Sequence, residues 1–499
     1  MSRPLEGRWI GGLLCAFALV SLGQDLSALP PDLRAFREAS RTVKATQRIE
    51  ALESFIAEYP YSPGVATARD RIIDAALESW PSETRRLLAQ AKRLIAAAPP
   101  EEKPRVELLA ARKFAEAGVL LRQSQAFAQS ALRSAMGDRE RAESMGVLGR
   151  ALLARGKTKE AEAMLSEALK LNPELREAAI ALGEAKLARK QYAEAVDALA
   201  LAKLSGKFSP KANAKLFEAW TGARGGSAAK LDEKLDAMYR ERFPSPVTPT
   251  RYQPGAQRTR RVVLAEVFTG AGCPPCAASS LAFDAALERY SRDELAVLMY
   301  HVHIPVMDPL TSPETKPRVA YYSVVSAPTM AIDGQKLIGG GPREFAPKAF
   351  DRLVAAVDRR LEVKEDATID LSVSRAANRV VVRAKPSRTG QPVRLRIALV
   401  DRLQSYSGEN GTRFHPMVVR SIAEFPASDA EHIFDVDAIT MKLKAYLDRY
   451  EIEPERGSPG AFQEKKFSLN AGALAVVAFL QDDRDQRVLN SIYRNVPTQ

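Results

Sequence analysis

The chain has 499 residues, of which 46% are hydrophobic and 27% charged. This is a globular balance that excludes a wholly disordered or collagen-like chain, and the length calls for more than one domain. The net charge is +12, but the bases are interleaved with acids, as in Arg139-Glu140-Arg141 and Lys157-Thr158-Lys159-Glu160. With no dense basic arm or recognition motif, no nucleic-acid partner is expected.

Residues 1–23 read as a signal peptide. Arg3 and Arg8 give a positive start, Trp9 to Leu22 a short apolar core, and Ser21-Leu22-Gly23 a cleavage site before Gln24. An exported, periplasmic or extracytoplasmic bacterial protein follows as the expectation, with no integral membrane span after cleavage. No other apolar run reaches the ~20 residues a spanning helix needs. Leu14 precedes Cys15, where a lipoprotein signal needs a small residue, so lipidation is not expected. Once the signal is removed, two cysteines remain, Cys273 and Cys276. Stabilising disulfides would draw on cysteines scattered among loops, whereas this pair has the spacing of a redox site.

The region 30–243 is helical. Leu148-Gly149 recurs 34 residues later as Leu182-Gly183, and Ala161, Leu165 and Ala168 recur as Ala195, Leu199 and Ala202. Pro173 stands where a helix pair ends. Small Gly and Ala positions let paired helices approach, and large apolar residues fill between them. This pattern resembles the tetratricopeptide repeat. It departs from it at Lys186, where an aromatic is usual. Two repeats rarely stand alone. Glu50 to Pro60 reads as the second helix of a degenerate repeat, 103–136 as further helices and 228–243 as a closing helix. Such an all-α solenoid implies a protein or peptide partner.

Residues 244–260, rich in Pro and Arg, read as an extended linker. Alternating strand and helix follow over 261–362: Val262–Phe268, Cys276–Tyr290, Leu295–Ile304, Thr329–Ile332 ending at Asp333-Gly334, and Phe345–Leu361. This spells a small α/β domain. The remainder, 363–499, reads as mostly β around a helical insert at 435–450, and a β-sandwich-like domain is expected.

Cys273-Pro274-Pro275-Cys276 lies between the first strand and first helix of the α/β segment. A helix N-terminus favours a thiolate, and proline costs little in the first turn. Cys273 is therefore expected to attack and Cys276 to resolve, with the disulfide itself the only redox group and no other cofactor. Ala327-Pro328-Thr329 precedes a strand some fifty residues on. Together these features resemble the thioredoxin fold over about 258–362. That resemblance implies a cis proline at Pro328 facing the cysteines and, with Ala327 and Thr329, forming a site for substrate peptides. The usual tryptophan is Gly272 here. The lead-in Glu266-Val267-Phe268-Thr269-Gly270 is similar to a group of exported bacterial thioredoxin-like proteins, some of which continue into a β-sandwich region.

The expected function is thiol–disulfide exchange with protein thiols or disulfides, with the repeats recruiting partners. Glu266 reads as a half-buried carboxylate able to move protons for Cys276. His301 and His303, two apart on a strand, are expected to hold the Pro305–Pro309 loop. With Cys273 and Cys276 they also make the donor set of an alternative copper(I)-handling protein. The other alternative is a non-enzymatic binding scaffold. Arg318, Tyr321 and Tyr322 are expected to pack beneath the Pro328 loop. Glu409-Asn410-Gly411 reads as a hairpin turn, and His415 and His432 show no evident partner.

Overall fold

The computed structural model describes residues 29–390, 392–455 and 459–498. The signal-like segment 1–23 and Cys15 lie outside them. The chain divides into two compact units. One runs to Lys203 and resumes over Phe208–Leu231, and the other takes Leu204–Lys207 and everything from Asp232 on. No described helix is long and apolar enough to cross a membrane.

The first unit is all-α: α1 (Pro31–Arg41), α2 (Ala45–Glu58), α3 (Val65–Ser79), α4 (Thr84–Ala97), α5 (Lys103–Ala117), α6 (Leu121–Ser134), α7 (Asp138–Ala154), α8 (Thr158–Leu171), α9 (Arg176–Ala188), α10 (Tyr192–Leu204) and α11 (Pro210–Ala223). The repeat positions read from the sequence are its close contacts. A Cβ placed on Gly149 in α7 would lie 2.5 Å from Cγ of Leu165 in α8, and one on Gly183 in α9 would run into Leu199 in α10. Ala161, Leu165, Ala168, Ala195, Leu199 and Ala202 are all fully buried. One ion pair also spans the 34-residue period, Arg150 with Glu184 at 2.9 Å, and Glu184 further binds Lys215 at 2.7 Å. Lys186, in an aromatic's usual place, pairs with Glu162.

The helix expected to close the repeats, α12 (Leu231–Arg242), instead packs into the second unit. Arg413 donates to Asp232 at 2.7 Å and Asp236 at 2.8 Å, and the Tyr239 hydroxyl donates to the Gly411 carbonyl. Nor is 244–260 a free linker. Val247 is buried between helices of the second unit, Tyr252 N–H donates to the Arg289 carbonyl, and Arg261 just beyond is fully buried against Asp333.

The second unit contains β1 (Val263–Thr269), α13 (Cys276–Arg289), β2 (Leu295–His301), α14 (Thr315–Tyr321), β3 (Thr329–Ile332), β4 (Gln335–Ile338), α15 (Ala346–Leu361), β5 (Ile369–Ala376), β6 (Arg379–Pro386), β7 (Val393–Ser405), β8 (Phe414–Pro426), β9 (Ala430–Asp435), α16 (Val436–Ile452), β10 (Leu474–Asp482) and β11 (Val488–Asn495). One sheet has the order β11-β10-β7-β8-β2-β1-β3-β4, and a second has β5-β6-β9. β1 and β2 are parallel, and β3 runs antiparallel to β1 and to β4. β2 meets β8 through one residue pair, Met299 with Val418.

The expected boundary at 362/363 is therefore not a domain boundary: strands from both sides share one sheet. β10 shows why. Ala475, Val477 and Phe479 face the core shared with β1 and β2. The intervening Val476, Ala478 and Leu480 face a second core, closed by β5, β6 and α16. The sandwich exists, but one of its layers is the larger sheet, buried on both faces. Burial on both faces requires a continuous apolar run, which is what Ala473–Leu480 is.

Candidate functional site

β1 ends at Thr269, and the chain turns through Gly270–Pro275 before α13. Cys273 and Cys276 are joined as a disulfide with Cα atoms 5.3 Å apart. α13 begins at Cys276, with Pro275 at its cap, so Cys273 sits just ahead of the helix rather than within its first turn. The Cys276 N–H donates to the Cys273 carbonyl at 3.0 Å, closing the turn. Both cysteines are buried, Cys273 with 1% of its surface exposed.

The Ala327–Pro328 peptide is cis, as the resemblance implies. The Ala327 carbonyl lies 3.8 Å from Cys273 Sγ. A Cβ on Gly340 would be 2.5 Å from Pro328 Cγ and 2.7 Å from the Pro275 carbonyl, and that carbonyl accepts from Gly341 N–H at 2.7 Å. Thr329 Oγ1 donates back to Ser326 at 2.7 Å, bracing the loop. Cys273, Cys276, Ala327 and Pro328 are thus brought together, with Thr329 beside them at the start of β3. A Cβ on Gly272 would meet Val306 Cγ2, so a tryptophan there would have to displace that side chain.

Glu266 differs from expectation. It is fully buried, not half-buried, and both its oxygens are taken. Arg318 donates through Nε at 3.0 Å and Nη2 at 2.7 Å to Oε1, and through Nη2 at 2.7 Å to Oε2. The Tyr322 hydroxyl donates at 2.6 Å and that of Tyr300 at 3.1 Å. Gln481 on β10 accepts from Arg318 and donates to the Tyr322 oxygen. Burial alone would lower the Arg318 pKa, but the Glu266 charge more than offsets it and fixes the guanidinium charged. Burial, then the Glu266 charge, pushes the Tyr300 and Tyr322 hydroxyls up. A carboxylate held by three partners is a cross-brace between β1, α14 and β10. Arg318 and Tyr322 belong to this brace.

His301 and His303 do hold the loop after β2, through Asp308. The Asp308 carboxylate accepts from His301 Nδ1 at 2.9 Å, from Ala271 N–H at 2.6 Å and from Leu310 N–H at 2.8 Å. Its own N–H donates to His303 Nδ1 at 2.9 Å. Burial works to raise the Asp308 pKa, but His301 and these N–H groups outweigh it and hold it at about 2. An ionised carboxylate only accepts, so the His301 proton is on Nδ1. His303 Nε2 meets the Tyr446 hydroxyl at 3.1 Å, and its ring stacks 3.6 Å from Tyr450. Burial lowers its pKa to about 4. With both nitrogens committed, His303 has none to offer a metal. No group of three or more potential metal ligands assembles among the described residues.

The turn Glu409-Asn410-Gly411 is more than a turn. Asn410 N–H donates to the Ala271 carbonyl at 3.0 Å, and its Nδ2 donates to the Gly270 carbonyl at 3.1 Å. Its Oδ1 is held by Thr412 N–H and Oγ1. The residues that sequence reading missed at the site are Asp308 and Asn410. Asp308 lay inside a recognised loop, and Asn410 inside a recognised turn, but neither carried a signal that it touched the cysteine loop. His415, on β8, places its ring 5.1 Å from that of His301 and bonds the Tyr406 carbonyl. His432 packs edge-on against Phe434 on the small sheet.

The tetratricopeptide repeat family matches the chain over residues 152–216. The helical unit carries tetratricopeptide repeats. These are protein-interaction modules, stacked so that neighbours bury each other's faces. Among solved structures, BtubC from P. vanneervenii is 14% identical, covers 46% of this chain and 99% of its own, and has a TM-score of 0.31. PilF of Pseudomonas aeruginosa is 14% identical over 43% of this chain and 95% of its own, with a TM-score of 0.30. PilW, a type IV pilus biogenesis factor, is 14% identical over 43% of this chain and 92% of its own, with a TM-score of 0.32. No curated protein matches the chain.

Proposed function

We propose that the chain is an exported thiol–disulfide oxidoreductase. Its thioredoxin-like segment exchanges with protein thiols or disulfides, and its repeats hold a protein or peptide partner. The observation that carries this reading is the closed Cys273–Cys276 pair facing the Ala327 carbonyl at 3.8 Å. The strand order β2-β1-β3-β4, with the pair between β1 and α13 and Pro328 entering β3, supports it. The cysteine pair is the only redox group the reaction needs. In the reducing direction the Cys273 thiolate attacks a client disulfide, forming one S–S bond and expelling a client thiolate. Cys276 then loses its proton and attacks Cys273 Sγ, closing the protein's disulfide and releasing the second client thiolate. Two electrons pass to the client, and the oxidising direction is the reverse.

A second reading is a binding scaffold with a structural disulfide, favoured by the burial of Cys273. Trapping separates the two. With Cys276→Ser, acid quenching and non-reducing gels with mass spectrometry, the oxidoreductase gives discrete adducts that vanish when Cys273 is also replaced. No adducts, with Cys273 open to alkylation, would leave the scaffold.

A further inference from the structure

The Gly270–Ala271 backbone is the tether that places Cys273, and it is gripped on both sides. Asp308 takes the Ala271 N–H, while Asn410 takes the carbonyls of Gly270 and Ala271. The crowding is tight, since a Cβ on Gly270 would be 3.4 Å from Cys273 Cβ and 2.9 Å from the Ile304 carbonyl. Asp308 is fully buried, and its counterpart His301 is 1% exposed. The second nitrogen of His301, Nε2, is buried without a partner. Glu266 is bound up with Arg318, which leaves Asp308 as the buried carboxylate bonded to the cysteine loop. The other titratable groups that feel it are His303, His415, Tyr406 and Tyr446, and Arg413 acts on His415.

We infer that Asp308, paired with His301, is a positioning residue that sets the redox equilibrium of Cys273–Cys276. The inference rests on the exchange reading above. Reducing the pair with two thiols of glutathione breaks the protein's S–S bond and forms oxidised glutathione. It leaves Cys273 as thiolate, Cys276 as thiol, and one proton in solvent. The Asp308 carboxylate, bonded to the Ala271 N–H two residues before Cys273, disfavours that thiolate and so holds the pair toward the disulfide. Asp308 also keeps the loop in the geometry in which Ala327 faces Cys273.

The test is the equilibrium of the full chain with glutathione at pH 7, read by alkylation and mass spectrometry, for the native protein and Asp308→Asn. The variant keeps the size and an acceptor for Ala271 N–H but loses the charge. Its equilibrium should move about tenfold toward the dithiol, equal to about 30 mV. A purely structural role would lower the melting temperature without that shift. Superimposable curves from folded proteins, or a shift toward the disulfide, would overturn the inference. If Asp308→Asn does not fold, His301→Leu, which bares the carboxylate, should shift the equilibrium toward the disulfide, and no shift there overturns it equally. A native pair too stable for glutathione is titrated with dithiothreitol. One that resists both couples sinks the exchange reading and this inference together, whereas native exchange with unmoved variants sinks only the inference.

Discussion

Replacing Gly149 by alanine tests the packing logic of the repeats, because two opposing effects of known size meet there. Removing a helix-interior glycine gains roughly 1 kcal/mol of propensity. The new methyl would lie 2.5 Å from Leu165 Cγ and 2.7 Å from its Cδ2, against about 3.5–4.0 Å for unstrained carbons. Leu165 is fully buried, so it cannot swing into solvent, and overpacking of this kind costs about 1–3 kcal/mol. A net loss near 1 kcal/mol is expected. Gly146, one turn earlier in the same helix, is the control. Its nearest neighbour would be Ala178 Cβ at 3.3 Å, a milder crowding, so Gly146→Ala should cost less than Gly149→Ala. Thermal unfolding followed by helical circular dichroism should therefore separate the two variants, by about 2–4 °C per kcal/mol for a unit of this size. Gly183→Ala, which meets three carbons of Leu199, should behave like Gly149→Ala. If Gly149→Ala proves as stabilising as Gly146→Ala, the helices are not in close contact at this position and the repeat argument fails.

Other expectations concern the second unit. Glu266→Gln leaves Arg318 charged, buried and uncompensated, and should cost about 3–5 kcal/mol in urea unfolding. Replacing both residues by leucine should cost less than the sum of the single changes, and strict additivity would show that they do not interact. His303 and His415 are held neutral by burial, with pKa values lowered to about 4 and about 3, against roughly 6.5 in the unfolded chain. The unfolded state therefore binds more protons below pH ~6.5. The stability these histidines contribute is complete above that pH and is lost as it drops toward 4, by up to about 1.4 kcal/mol per pH unit for each. Asp284, pushed up to about 7 by burial, works the opposite way between pH 7 and 4, and Asp308, held at about 2, adds a loss only below pH ~4. Native and His415→Asn proteins should therefore diverge between pH 7 and 4.5, and parallel profiles would contradict the burial. Asn410→Ala removes the Nδ2 donor from the Gly270 carbonyl and keeps the backbone bond to the Ala271 carbonyl, and it should speed alkylation of reduced Cys273 several-fold. An unchanged rate would show that the Nδ2 bond does not hold the loop. Gly272→Trp should unfold or displace the Ile304–Asp308 loop, detectable as a drop in melting temperature that Val306→Gly partly restores.

The repeats were legible in the sequence because their packing is local. Gly149 and Leu165 are 16 residues apart, and the same contact returns one period later at Gly183 and Leu199, so the contact leaves a periodic trace. The two-sided role of the larger sheet leaves none. Ala473–Leu480 announces a buried strand, yet nothing in a continuous apolar run says that its alternate residues serve two different cores. That is why 261–362 and 363–499 read as separate domains. Helix α12 was visible as a helix, but its partner Arg413 is 177 residues from Asp236, and no pattern along the chain encodes that pairing.

At the site, the Cys-Pro-Pro-Cys spacing marked Cys273 and Cys276 as a pair, and the resemblance to the thioredoxin fold, not the spacing, pointed to Pro328. What surrounds them was assigned by residue type alone, and type misled. A carboxylate on the strand leading to the cysteines looked like the natural proton carrier, but Glu266 meets Arg318 52 residues away and becomes a brace. The carboxylate that does touch the cysteine loop is Asp308, 37 residues from Ala271, in a segment that read only as a connection. Both acids are buried, and what separates them is the charge of the partner. Glu266 is bound by the Arg318 guanidinium and braces the elements around it, whereas Asp308 bonds the Ala271 N–H two residues before Cys273. The first arrangement gives rigidity. On the proposed exchange reading the second sets the field at the loop that carries Cys273, so the glutathione equilibrium of Asp308→Asn is the more telling measurement of the two.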